Sequence, residues 1–141
     1  MRPVSAPDTH RWLLLPAAVL ILAGLAAGCS SSKPAYCTDA ANLKTSVQNL
    51  DNVDVAKNGL SSLQTALNSV KTNAASFSAN AKSAYPSQTA ALNTSLTALQ
   101  TAITSAKGQS RVTAARAVAP AVTQVKNSAN ALQSAASGKC Q

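Results

Sequence analysis

The sequence predicts an all-α fold, an antiparallel up-down bundle of four helices with three as the alternative. Three observations predict it. Apolar residues recur alternately three and four positions apart almost throughout the chain beyond residue 37, which is the spacing of one helix face. Helix-stopping residues, Tyr85-Pro86, Gly108 and Gly138, divide that pattern into segments. Two cysteines, Cys37 and Cys140, bracket it. With 141 residues, 46% hydrophobic and 11% charged, the chain has the length of about one domain and an ordinary apolar content, which excludes both a large multidomain enzyme and a charge-driven disordered polymer.

Residues 1–28 read as a cleaved signal peptide. Arg2 and Arg11 lie in a polar start, and an apolar run follows from Trp12-Leu13-Leu14-Leu15-Pro16 through Val19-Leu20-Ile21-Leu22 to Gly28. The run is short and small-sided at its end for a permanent membrane span. It closes as Leu25-Ala26-Ala27-Gly28-Cys29 and is followed by Ser30-Ser31-Ser32-Lys33-Pro34. This order resembles the lipobox of bacterial lipoproteins, with Ala26 where such boxes most often carry Leu, and it covers residues 1–29 only. The resemblance implies diacylglyceryl (palmitate-type) modification of Cys29, signal cleavage before it, and anchoring on the extracytoplasmic face of the cell membrane. Two acyl chains hold a protein stably where one is marginal. Residues 29–36 then form the lipidated Cys and flexible tether, and residues 37–141 the bundle.

Four helical segments are predicted. The first carries Ala40, Leu43, Val47 and Leu50, with Thr38 or Asp39 as cap. The second and longest carries Ala56, Leu60, Leu63, Leu67, Val70, Ala74, Phe77 and Ala81, with Asp54 as N-cap and Tyr85-Pro86 as its stop. Gly59 falls within its first turns, at a cost of about 1 kcal/mol relative to Ala. The third, from about Ser87 to Gly108, carries Leu92, Leu96, Leu99, Ile103 and Ala106. The fourth opens at Ser110, carries Ala115, Val118, Val122, Val125, Ala129, Leu132 and Ala136, and closes at Gly138. Pro120 inside it removes one backbone bond and is expected to kink it.

The cysteines bear on topology. With Cys29 acylated, Cys37 and Cys140 are an even pair in an oxidising compartment, expected as a disulfide worth roughly 4–5 kcal/mol by the chain-entropy account. Four alternating helices bring the start of the first and the end of the last to the same end of the bundle, whereas three place them at opposite ends. The weakness of the four-helix course is that the first segment is much shorter than the second.

Chemistry is scarce in the chain that cleavage leaves. His10 and Trp12 leave with the signal, so no His, Trp or Glu remains, and the only acids are Asp39, Asp51 and Asp54. General acid–base catalysis and metal ligation draw on His, paired carboxylates or Cys/His clusters. No nucleophile-elbow, SxxK or phosphate-loop motif is present either. The reading is a non-enzyme with no cofactor and no metal.

Cations stand out against that background. Lys44, Lys57, Lys71, Lys82, Lys107, Arg116 and Lys126 each directly follow an apolar seam position, and with acids confined to helix ends they are expected to lack internal partners. In a continuous second helix, Lys57, Lys71 and Lys82 stand 14 and 11 residues apart, within about 40° of one another and along about 38 Å. Two readings follow: lysine stems laid over a small-sided core with heads in water, or an anion-binding stripe that contacts an anionic envelope polymer, lipid headgroups or an acidic protein. Nucleic acid is not expected as a partner, because aromatic platforms are missing. Tyr36 and Tyr85 are expected together at the disulfide end.

The leading functional reading is a membrane-anchored, non-catalytic envelope lipoprotein with a structural or interaction role. In composition and architecture it resembles small Ala-rich helical lipoproteins of high-GC Gram-positive bacteria. The alternative is a carrier of a small apolar ligand or lipid, which a cavity above about 300 Å³ near Pro120 would favour.

Overall fold

The computed structural model describes residues 33–81 and 83–141, which form one compact unit, Lys33–Gln141, with its own core. The signal segment, Cys29 and Lys82 lie outside the described residues. The described chain is helical, without strands: α1 (Ala35–Asp51), α2 (Val55–Asn58), α3 (Leu60–Ala81), α4 (Pro86–Ser105) and α5 (Arg111–Ser137). Four are long and α2 is a single turn. The helices α1, α3, α4 and α5 form a helical bundle, each packed on two neighbours, with α2 seated against α3 and α5.

The core is the heptad face of each helix: Leu43, Val47 and Leu50 from α1; Leu63, Leu67, Val70 and Phe77 from α3; Leu92, Leu96, Leu99 and Ile103 from α4; Val118, Val125 and Leu132 from α5. Ala74, Ala81, Ala106, Ala114, Ala129 and Ala136 are buried among them, small contacts that let the helix axes approach closely. Buried Ser46 and Ser95 donate their hydroxyls to the carbonyls of Leu43 and Leu92 at 2.9 and 2.8 Å, so neither is an orphaned polar group. A reciprocal amide pair, Gln64 with Gln100 at 3.1 and 3.0 Å, ties α3 to α4.

Several expectations are corrected. The first helix begins at Ala35 and takes in Ala35 and Tyr36, which the sequence reading assigns to the tether. Its N-cap is Pro34, whose φ of −51° pre-sets the turn, and Thr38 and Asp39 lie inside the helix as ordinary residues. The continuous second helix is interrupted. Gly59 has φ +80°, a left-handed conformation open to glycine, and it ends α2 before α3 starts at Leu60. A Cβ at Gly59 meets nothing within 4 Å, so Gly59→Ala tests backbone strain alone. The expected loss is about 1–2 kcal/mol, read by urea unfolding.

Pro120 does not end α5, which runs on as 27 residues. The proline is exposed, so the backbone hydrogen bond it removes, to the carbonyl of Arg116, is lost on a solvent-facing side of the helix. The burial phase of α5 also differs in its first half: Ala114 is buried, while Ala115 and Val122 are half-buried. Gly138 closes α5 at φ −63°, an ordinary helical value, so no left-handed residue is needed there.

Candidate functional site

The disulfide end is built from the chain's two termini. Cys37 in the first turn of α1 is bonded to Cys140, with Cα atoms 5.5 Å apart and a sequence separation of 103. Beside it, Tyr36, Phe77 and Tyr85 meet from three parts of the chain: Tyr36 lies edge-on to Phe77 at 5.8 Å and to Tyr85 at 5.6 Å, and Phe77 is tilted against Tyr85 at 5.8 Å. Such edge contacts are favourable beyond area burial. The sequence reading places both tyrosines here. That Phe77 completes the trio follows from α3 ending at this level.

Tyr85 donates its hydroxyl to that of Tyr36 at 3.3 Å. This hydrogen bond holds the Tyr85 phenol above its ordinary pKa of 10.0, helped by partial burial and by the charge Tyr36 would carry when ionised. Because the folded value is raised, the contribution is complete below pH 10.0 and is lost as pH rises through the folded value. Tyr36→Phe removes the largest cause, so spectrophotometric titration should find Tyr85 ionising at lower pH than in the unsubstituted protein.

The opposite end has a different character. The α1 column is short, 17 residues against 27 in α5, so about 15 Å of α5 extends beyond it. The segment Asn52–Asn58 fills part of that length. Asp54 caps α2 by accepting from the Lys57 backbone N–H at 3.0 Å, and Arg111 at the start of α5 donates from Nη1 to the Lys57 carbonyl at 2.9 Å. That guanidinium thus meets the carbonyl end of α2, where a cation is favoured. Arg111→Ala should speed amide hydrogen exchange at Asn58 and Gly59 while leaving α3 and α4 protected.

Where α1 hands over to α2, a cavity of about 310 Å³ remains against α5, beside Pro120. Its walls include Leu50, Val53, Val55, Leu63, Val118 and Val122, and its charged lining residues are Asp51 and Asp54. A second, larger groove of about 530 Å³ between α3 and α4 is lined by Ala74, Ala75, Ser78, Ala79, Asn93, Leu96, Thr97 and Lys71. It offers one large apolar side chain and is suited to water.

The structure does not assemble the basic stripe as a single helix face. Lys57 is on α2 and Lys71 on α3, so the 100°-per-residue reckoning fails at Gly59; Lys82, the third member, lies outside the described residues. The expectation that the cations lack internal partners is also corrected. Lys126 Nζ is 2.7 Å from Asp51 Oδ2, joining α5 to α1, and Lys57 Nζ is 3.5 Å from Asp54 Oδ2. Both pairs are solvent-exposed and correspondingly weak. The third acid, Asp39, accepts from Asn80 at 2.7 Å, linking α1 to α3.

The cavity residues escaped the sequence reading. Its signal was present as two of the three acids lying in the interhelical break, Asp51 and Asp54. Among the described residues no three His, Cys, Asp or Glu side chains group as metal ligands, and no helix is long and apolar enough to cross a membrane. Comparison of the chain with family models, with curated proteins and with solved structures finds no match.

Proposed function

We propose that this protein is a lipid-anchored, non-catalytic cell-envelope protein whose bundle is held at the extracytoplasmic membrane surface by its disulfide end. The observation that carries the reading is the sequence order at the junction: an export-type apolar run, small residues, Cys29, and a tether that enters α1 at Ala35. From Cys29 to Pro34 even a fully extended chain spans only about 20 Å, so an acylated Cys29 keeps the Cys37–Cys140 end close to the bilayer and turns the α2 end outward. The absence of His and Glu beyond residue 28 supports a structural or interaction role over a catalytic one. With ten cations against three acids there, the outward body carries a diffuse positive field suited to an anionic envelope polymer or an acidic protein.

Cys29→Ser tests the anchor. The expected result is loss of lipid labelling and transfer of the protein from the membrane fraction to the soluble fraction. Membrane retention without labelled lipid overturns the reading.

The cavity beside Pro120 favours a second reading, carriage of a small apolar ligand. Its volume of about 310 Å³ lies at the lower end of the range for small-molecule sites.

A further inference from the structure

The cavity at the step between α1 and α2 has a charge character opposite to that of the chain. Basic residues outnumber acidic ones twelve to four overall, yet no Lys or Arg lines it. Two of the three carboxylates of the described side chains do. The remaining walls are apolar, with Leu63 and Val118 fully buried beneath it. Lys126 and Lys57 pair with these carboxylates, each through Oδ2 in a solvent-exposed pair. Asp54 Oδ1 is committed to the α2 cap, and Lys126 is the hydrogen-bond partner of Asp51. A ligand ammonium that brings its own apolar burial competes well with such screened partners. An anionic ligand would meet two like charges and no cation in the lining.

We propose that this cavity is a binding site for a small aliphatic amine, its hydrocarbon body against the half-buried Val53 and Val122 and its ammonium at the Asp51 and Asp54 carboxylates. This rests on the carrier reading and narrows it to a chemical class. The volume sets a short hydrocarbon body rather than a full lipid chain. The site is open to solvent at its exposed lining residues Asp51, Ala56, Ala119 and Thr123.

The test uses the Lys33–Gln141 unit, which carries its own core and disulfide, and follows the methyl resonances of Val53 and Val122 during titration. The probes are hexylamine, hexanol and hexanoate. The amine should bind about tenfold more tightly than the alcohol, as a charge-assisted hydrogen bond gives, and hexanoate should not bind. Substituting Asp51→Asn together with Asp54→Asn should reduce the amine to the level of the alcohol. The α2 cap survives that change, because Asn caps as well as Asp. Ala119→Trp, at an exposed lining position, should abolish binding of both the amine and the alcohol. Equal affinity for amine and alcohol overturns the amine assignment and leaves the apolar carrier reading standing. Methyl resonances that stay unmoved with every probe overturn both, and a preference for hexanoate overturns the charge argument outright.

Discussion

Replacing Cys37 and Cys140 together with serine should lower the unfolding free energy by roughly 4–5 kcal/mol, read as a fall in the denaturation midpoint. The magnitude comes from loop closure: the bond spans 103 residues, nearly the whole folded unit, and cross-linking so long a loop removes much of the unfolded chain's freedom. The core makes that loss matter. Several of its buried positions are alanines, each contributing little apolar area, so the remaining stability is modest. The variant should retain helices near neutral pH and unfold at much lower denaturant. An unchanged midpoint would mean that helix packing alone holds the two termini together.

The second large effect is expected for Phe77→Ala, a loss of about 3–5 kcal/mol. Phe77 is fully buried, the largest such side chain among the described residues, and its ring packs against both Tyr36 and Tyr85. Removing it leaves a void between the end of α3 and the start of α1, where neighbouring helices cannot close in without breaking the tyrosine contacts. Tyr36 is the neighbour of Cys37, so this loss and the disulfide loss should not add. A double-mutant cycle between Phe77→Ala and the cysteine pair measures the coupling. Strict additivity would show the aromatic trio and the disulfide to be independent supports.

Most of the fold was legible because helix class depends on near neighbours. The spacing of Leu63, Leu67 and Val70, or of Leu92, Leu96 and Leu99, marks a buried helix face without knowledge of what covers it. Stops at Tyr85-Pro86 and Gly108 act through φ preferences of single residues and were legible for the same reason. Gly59 shows where local reasoning ends. Propensity alone treats it as a tolerated residue in a helix, whereas the bundle uses its left-handed φ to turn the chain from α2 into α3. Pro120 lies inside a segment that the spacing carries on to Gly138, and α5 does pass through it, its missing N–H falling on an exposed face.

The candidate sites divide along the same line. That Tyr36 and Tyr85 share an end with the cysteines follows from helix direction, a property of segment order. The proposed stripe assumed one rigid helix from Lys57 onward, and Gly59 removes that assumption.

From the sequence alone came the helical class, the four main segments and the scarcity of catalytic side chains beyond residue 28, since each depends on residue identity and spacing along the chain. Only the tertiary structure decided the ion pair of Asp51 with Lys126, the hold of Arg111 on α2 and the cavity beside Pro120. All three arise from unequal helix lengths, 17 residues in α1 against 27 in α5, which leave one corner of the bundle incomplete. What fills that corner depends on the register between segments more than 50 residues apart, as between Lys57 and Arg111, and a periodicity reaching three or four residues carries no information about it.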